Sequence, residues 1–137
     1  MDGYATAMRR YFQISGRSGG HEFWMFMLFY LIFGAIAAAI DVRLLGHSLT
    51  EGTGVAGGIV ALIHFIPSIT VGIRRLHDSD RSGFWMLLLF IPLIGIIWLI
   101  VLWCFGGTLG NNGYGPPHDY DEGAPAESPA RSYRSAR

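Results

Sequence analysis

Three long segments free of Asp, Glu, Lys and Arg constrain this chain more than any other feature. They cover residues 23–40, 55–73 and 84–105. The hydrocarbon core of a bilayer is about 30 Å thick, and a helix of roughly 20 apolar residues crosses it with its backbone hydrogen bonds satisfied. The sequence therefore predicts an all-α integral membrane protein with three transmembrane helices at these positions.

The composition agrees with a membrane protein whose main partner is lipid. Charged residues make up 15% of the chain and the mean hydropathy is +0.37, whereas about a quarter of the residues of a soluble domain are charged. Ten basic residues, all arginine, balance ten acidic ones, so no net positive charge attracts nucleic acid. The single cysteine, Cys104, excludes an internal disulfide and a Cys-rich zinc module.

The first apolar segment has a second interpretation. Arg17, the apolar run and the small residues at 37–39 resemble a secretory signal with an Ala-x-Ala cleavage site. The segment begins with many aromatic residues, which are typical of the interfacial belt of a transmembrane helix. These residues are Phe23, Trp24, Phe26, Phe29 and Tyr30. We therefore favour a membrane span.

The segments that flank the spans differ in character. Before the first span, apolar and aromatic residues alternate with polar ones at helical spacing: Tyr4, Met8, Tyr11 and Phe12 against Arg9, Arg10 and Gln13. This pattern predicts a short amphipathic helix at the membrane interface, with a frayed terminus as the alternative. We expect a three-helix membrane domain over residues 4–117. Residues 118–137, rich in Gly, Pro, Ser, Asp and Glu, are expected to form a disordered polar tail.

The arginines near the predicted spans indicate an orientation. They concentrate before the first span and between the second and third, at Arg9, Arg10, Arg17, Arg74, Arg75 and Arg81. The 41–54 connection has only Arg43, close to Asp41 and Glu51. Because positive residues stay on the cytoplasmic side, we predict a multi-pass membrane protein with its N-terminus cytoplasmic and its C-terminus outside.

The densest polar cluster lies between the second and third segments and comprises Arg74, Arg75, His77, Asp78, Asp80 and Arg81. The predicted topology places it on the same membrane face as Arg17, His21 and Glu22. Guanidinium groups bind phosphate oxygens in pairs, so this face could bind anionic lipid headgroups or a partner protein. The structural alternative is an ion-pair network in which Asp78 and Asp80 pair with Arg75, Arg81 or Arg17.

Other chemistry has less support in the sequence. His77, Asp78, Asp80, His21 and Glu22 are possible metal ligands, but their spacing matches no ligand motif. Ser79, His77 and Asp78 are the residue types of a hydrolytic triad, yet neighbours in sequence point in different directions. We therefore predict no catalytic residues, no metal site and no cofactor.

His64 is the only histidine inside the three predicted spans. It marks either a functional site or a neutral imidazole bonded to a neighbouring helix. Pro67 and Pro92 would kink the second and third spans at nearly one depth, about 9–12 Å from the cytoplasmic surface. The three residues thus suggest an inward-facing pocket, with ordinary kinks accommodated by packing as the alternative.

Small residues at a spacing of four mark possible helix contacts. They are Gly54 with Gly58, Gly34 with Ala38, and Ala35 with Ala39. Such pairs allow close approach of helices within the membrane. We expect them to join the first two helices or to form a homo-oligomer.

Several motifs resemble those of a known family. They are Phe12-x-x-x-Gly16-Arg17, Glu22-Phe23-Trp24, Pro67, Arg74-Arg75-Leu76-His77-Asp78, Arg81-Ser82-Gly83-Phe84-Trp85, Ile91-Pro92-x-x-Gly95 and Gly110-Asn111-x-x-Tyr114-Gly115-Pro116. Over residues 4–117 the chain resembles the domain of unknown function 805 family, the YhaH-like small bacterial inner-membrane proteins. The resemblance implies a multi-pass plasma-membrane protein and no established activity.

From these features we predict a structural or interaction module whose arginine-rich cytoplasmic face binds lipid headgroups or a membrane protein partner. The alternative is a small-molecule channel or transporter subunit that uses the proline-kinked pocket.

Overall fold

The computed structural model describes residues 2–46, 48 and 52–117. The predicted tail, residues 118–137, lies outside them. The elements in chain order are α1 (Asp2–Arg9), α2 (Gly20–Arg43), α3 (Val55–Asp78), a 3-10 helix (Gly83–Phe90) and α4 (Ile94–Cys104). The prediction of an all-helical fold is confirmed for the described residues.

Helices α2 and α3 correspond to the first two predicted spans. Each has 24 residues and is long and apolar enough to cross a membrane. At about 1.5 Å per residue each is about 36 Å long, slightly more than the hydrocarbon thickness. Large apolar side chains such as Leu31 (71% exposed) and Leu62 (75% exposed) point away from the protein, as expected for helices that face lipid.

The third predicted span, residues 84–105, is not a single helix in the structure. The 3-10 helix ends at Phe90, and the 11-residue α4 begins only at Ile94. Pro92 lacks an N–H and disfavours a helical conformation at the residue before it. Leu93 then adopts a positive φ of 63°, which lies outside the helical region. The third apolar segment is therefore two short helices joined by a turn.

The predicted N-terminal helix exists but is shorter than expected, because it ends at Arg9. Its buried face consists of Gly3 and Ala7. A Cβ at Gly3 would lie 3.0 Å from the Cα of Glu22, so glycine at this position lets α1 pack closely on the first turn of α2.

The chain divides into two compact units. The first comprises the residues up to Ile14 together with His21–Gly72, and the second comprises Ser15–Gly20 and the residues from Ile73 onward. The first unit contains buried aromatic residues such as Phe23 and Phe26. The core of the second is built from Leu76, Leu99 and Leu102, with Met86, Leu88 and Trp103 packed against it.

Candidate functional site

The most extensive polar cluster of the second unit is built around one carboxylate. Asp78, at the end of α3, lies between two guanidinium groups, those of Arg17 and Arg75. Arg17 Nε donates to Asp78 Oδ1 at 2.9 Å, and Arg75 Nη1 donates to Asp78 Oδ2 at 2.6 Å. All three side chains are buried, with 6% or less of their surface exposed. We call these three residues the arginine latch.

Arg17 uses its whole set of donors inside the protein. Besides Asp78 Oδ1, it donates to four backbone carbonyls, those of Thr108 at 2.6 Å, Gly110 at 2.7 Å, Asp78 at 3.2 Å and Gly115 at 3.4 Å. A guanidinium group carries five N–H bonds, and here each has an acceptor. Arg17 therefore has no N–H left for a phosphate.

Arg75 binds the beginning of the same segment, at the end of α4 and just after it. It donates from Nε to the carbonyl of Trp103 at 3.0 Å and from Nη2 to that of Phe105 at 2.7 Å. The Thr108 N–H donates to the Asp78 carbonyl at 2.8 Å, and Asn112 Nδ2 donates to the His77 carbonyl at 2.8 Å. We call residues 103–115 the strap, because the latch and the end of α3 bind it along its backbone.

Glycine is required where the strap passes the latch. A Cβ at Gly107 would overlap the Asp78 carboxylate. Beside it lies a cavity of about 470 Å³, lined by Arg17, Arg75, Asp78 and residues 106–110, among others. Two guanidinium groups and one carboxylate give the latch a formal charge of +1. This arrangement fixes chain segments through charge-assisted hydrogen bonds.

The other predicted members of the cluster have separate environments. His77 Nδ1 lies 3.2 Å from the Gly16 carbonyl, and the imidazole stacks on the Tyr114 ring with centroids 3.8 Å apart. Asp80 is exposed, has a positive φ of 56°, and accepts the Gly113 N–H at 3.1 Å. Arg74 is buried in the second unit, and Glu22 is buried in the first at the start of α2.

Arg81 differs from the two latch arginines. It is partly exposed, and its Cζ lies 5.7 Å from the centroid of the Phe105 ring. Within the described residues its guanidinium group has no carboxylate partner, and its Nε is buried without a hydrogen-bond partner. Of Arg74, Arg75 and Arg81, it is the one whose side chain is partly exposed.

The alternative metal and triad interpretations find no matching geometry. Within residues 2–46, 48 and 52–117, no three His, Cys, Asp or Glu side chains are arranged to hold a metal ion. Ser79 Oγ donates to the Leu76 carbonyl at 3.1 Å, so it is not bonded to His77.

His64 lies in the first unit and uses both ring nitrogens. Nδ1 is 2.8 Å from the Val60 carbonyl, and Nε2 is 2.9 Å from the Tyr4 hydroxyl. A carbonyl can only accept, so Nδ1 carries a hydrogen, and in this tautomer Nε2 accepts from the Tyr4 hydroxyl. Burial raises the pKa of the Tyr4 hydroxyl, which keeps that donor protonated. The histidine thus bonds to its own helix and to α1, not to the backbone of a neighbouring helix.

The two prolines of the predicted pocket have different surroundings. Helix α3 continues through Pro67, and Tyr11 donates its hydroxyl to the Ile63 carbonyl at 2.9 Å. In a regular α-helix the N–H of residue 67 would donate to the carbonyl of Ile63, four residues earlier. Proline has no N–H, so the Tyr11 hydroxyl takes its place. Pro92 lies in the turn before α4 instead of inside a helix, so it does not kink a third span as predicted.

A different cavity occupies the first unit. It measures about 490 Å³ and is lined mainly by small residues of α2 and α3, including Gly34, Ala38, Gly57 and Ala61. Neither this cavity nor the one beside the latch is lined by His64, Pro67 or Pro92.

Sequence reasoning missed the role of Asp41. This buried residue accepts the N–H groups of Ala56 and Gly57, each at 2.8 Å. It therefore caps the first turn of α3 from the end of α2. A Cβ at Gly54 would overlap the Asp41 side chain. The sequence does contain a signal for this helix cap. Asp41 directly follows the first apolar segment, and the second apolar segment begins in a glycine-rich stretch.

Two helices long enough to cross a membrane, a shorter apolar helix and a buried arginine latch define a small multi-pass membrane protein of all-helical fold. Residues 11–116 match the family described as "Protein of unknown function (DUF805)", and the chain belongs to this family.

Curated relatives agree with this assignment. "Inner membrane protein YhaH" of Escherichia coli (strain K12) is 40% identical over 116 residues, covering 85% of this chain and 95% of the relative. "Inner membrane protein YhaI" of the same strain is 42% identical over 115 residues, covering 84% and 93%. "Uncharacterized protein YiiR" is 29% identical over 135 residues, covering 80% and 88%. No solved structure matches the chain. The resemblance noted in the sequence is confirmed.

Proposed function

We propose that the protein is a structural and interaction module of the bacterial inner membrane, and that its arginine-rich face is cytoplasmic and binds anionic lipid headgroups. Within that face the latch arginines have a structural role and Arg81 contacts lipid. The observation that carries this division is the saturation of Arg17, whose five donors all have acceptors within the protein.

The structural role of the latch follows from burial and charge. Removing a guanidinium group from water is costly unless its charge is paired and its N–H groups are bonded. Asp78 and the strap carbonyls provide this compensation for Arg17 and Arg75. Because Arg17 and Arg75 bind segments of the chain itself, we expect the loss of either one to lower the stability of the fold and not to remove a lipid contact directly.

Headgroup binding is assigned to Arg81 because of its surroundings. Its guanidinium group lies against the ring of Phe105 and has no carboxylate partner among the described residues. Anionic phospholipids of the inner leaflet provide phosphate oxygens that a guanidinium fork can bind.

The cytoplasmic orientation of this face rests on the distribution of arginine. Arg74 and Arg75 lie near the end of α3 and Arg81 follows it, and Arg9, Arg10 and Arg17 precede α2. Residues 41–54, by contrast, carry only Arg43. Retention of positive residues inside favours a cytoplasmic N-terminal segment.

Native mass spectrometry of the purified protein in mild detergent tests this proposal. After incubation with phosphatidylglycerol and phosphatidylethanolamine, we expect wild type to retain the anionic lipid preferentially and R81Q to lose that preference. R43Q, which removes another exposed arginine, is the matched control and should behave as wild type. Equal retention of phosphatidylglycerol by wild type and R81Q contradicts headgroup binding by Arg81.

The same spectra report subunit number. The exposed apolar faces of α2 and α3, and the open surfaces at Gly34 and Gly58 where no atom lies within 4 Å of a Cβ, support a homo-oligomer or a membrane protein partner. Peaks at multiples of the 15.1 kDa chain mass are the expected result for a homo-oligomer.

The channel or transporter alternative receives less support. It required a pocket at His64, yet both nitrogens of this ring are bonded within the first unit. Its second premise was a kinked third span, and Pro92 lies in a turn. We therefore retain the interaction module as the proposed function.

A further inference from the structure

The two ends of the third apolar segment lie close together. Arg81, just before the 3-10 helix, has its Cζ 5.7 Å from the ring of Phe105, just after α4. A straight α-helix over residues 84–105 would separate its ends by about 32 Å. The segment therefore reverses direction between Phe90 and Ile94.

Three backbone hydrogen bonds stabilise the turn. The N–H of Ile91 donates to the Leu88 carbonyl at 2.9 Å, that of Ile94 to Pro92 at 2.8 Å, and that of Gly95 to Ile91 at 3.0 Å. Pro92 brings no N–H that would need a partner. Irregular backbone is costly in a bilayer unless its polar groups are paired, and these bonds reduce that cost.

The two arms pack against each other. A Cβ at Gly95 would overlap the Leu88 carbonyl, so glycine allows the start of α4 to approach the end of the 3-10 helix. Further along, Met86 and Leu88 of the first arm pack against the cluster that contains Leu99 and Leu102 of α4. The contacts are those of a helical hairpin.

Each arm is too short to cross the membrane alone. The 3-10 helix has 8 residues and is about 16 Å long at 2.0 Å per residue. Helix α4 has 11 residues and is also about 16 Å long at 1.5 Å per residue. Both lengths are about half of a hydrocarbon core of about 30 Å.

The strap then returns to the end of α3, where the hairpin began. Asp78 accepts the Thr108 N–H at 2.8 Å, and Arg17, which precedes α2, donates to the Gly110 carbonyl at 2.7 Å. The Ser18 N–H donates to the Arg74 carbonyl at 3.0 Å. The segment before α2, the end of α3 and the strap therefore meet in one place.

From these contacts we propose that residues 83–104 form a re-entrant hairpin that enters and leaves the membrane on the same face. The protein then has two complete spans, α2 and α3, and residues 105–117 lie on the same face as residues 15–20. This topology replaces the predicted third crossing and with it the expectation of a C-terminal segment outside. It is independent of the proposed headgroup binding.

Cysteine labelling tests the topology directly. In a C104S background, three single-cysteine variants at exposed positions mark the segments: S15C before α2, S48C between α2 and α3, and L109C in the strap. A membrane-impermeant maleimide is applied to spheroplasts and to inside-out vesicles. We expect L109C and S15C to react in the same preparation and S48C in the other. Reaction of L109C together with S48C would overturn the proposal.

A second measurement does not depend on thiol reactivity. Green fluorescent protein, which fluoresces only in the cytoplasm, and alkaline phosphatase, which is active only outside, are each fused after residue 137 of the full chain. The fusions must place the C-terminus on the face where S15C reacts. If they place it on the face of S48C, the third segment crosses the membrane.

Discussion

Asp78 contributes both its carboxylate and its backbone carbonyl to the polar contacts of the second unit. Its carboxylate pairs with Arg17 and Arg75, and its carbonyl accepts from Arg17 and Thr108. The sequence identified these three charged residues as candidate partners, and the structure brings them together. It gave no indication of the strap carbonyls, because every residue has a backbone carbonyl and its use depends only on the fold.

Replacement of Asp78 tests the latch at a single residue. D78N leaves two buried guanidinium groups without a counter-charge, and breaking a buried ion pair costs about 3–5 kcal/mol. D80N makes the same chemical change two residues later, at an exposed position, and should cost less than about 1 kcal/mol. Thermal unfolding in detergent, followed by tryptophan fluorescence, measures both. Equal losses for the two variants would show that the latch does not stabilise the fold.

Tyr4 offers a second test, in the first unit. Y4F keeps the aromatic ring but leaves His64 Nε2 without its donor, which should cost about 1–3 kcal/mol. Tyr30 also stacks on His64, with ring centroids 5.0 Å apart, and its hydroxyl has no hydrogen-bond partner among the described residues. Y30F is therefore the matched control, and a loss of stability as large as that of Y4F would contradict the assignment of the Tyr4 bond.

The same residue predicts a pH dependence. Burial raises the pKa of the Tyr4 hydroxyl in the folded protein, so the unfolded chain loses this proton first as the pH rises. Stability from Tyr4 is complete below the ordinary tyrosine pKa of about 10. It is lost as the pH rises through the higher folded value. The advantage of wild type over Y4F should therefore shrink above about pH 10 in melting curves, and a constant difference would contradict the raised pKa.

At the scale of elements, α3 shows how a proline is accommodated inside a span. Pro67 leaves the Ile63 carbonyl without its helical partner, and the Tyr11 hydroxyl replaces that partner at 2.9 Å. The sequence predicted the apolar helix and singled out its proline. The acceptor for Tyr11 could not be predicted, because it depends on how the segment after α1 packs.

A double substitution separates this role from simple packing. Y11F should destabilise the protein by about 1–3 kcal/mol, because it leaves the Ile63 carbonyl unpaired. P67A restores an N–H at the position that would bond this carbonyl, so Y11F should cost much less in the P67A background. Melting temperatures of the four proteins in one detergent give the coupling. If Y11F costs the same in both backgrounds, the hydroxyl does not replace the missing N–H.

The third apolar segment shows the limit of counting apolar residues. Its length and lack of charge equal those of a membrane-crossing helix. Neither property indicates whether the chain continues in one direction or turns back. What separates a crossing from a hairpin is local: Pro92, the positive φ of Leu93 and the close approach allowed by Gly95. Sequence reasoning interpreted the proline as a kink because kinks are common in membrane helices.

At the scale of the whole molecule, the strap determines how much of the chain the fold needs. The described partners of Arg17 all precede residue 116. A chain that ends after Pro117 should therefore keep the stability of wild type. One that ends after Phe105 loses the carbonyls of Thr108, Gly110 and Gly115, at about 1.5–3 kcal/mol for each bond to a charged group.

Unfolding of both truncated proteins in the same detergent checks this prediction. The chain ending after Phe105 should melt well below the chain ending after Pro117. Equal melting temperatures would show that the strap is dispensable.

The sequence separation of the latch has a consequence for biogenesis. Arg17 is synthesised early, but its partners are Asp78, 61 residues later, and a strap that extends to Gly115, 98 residues later. Until the ribosome has delivered these partners, the charge of Arg17 cannot be buried without a large free-energy penalty. The latch can therefore form only after the membrane domain has been synthesised, and a prematurely terminated chain lacks acceptors that compensate the charge of Arg17.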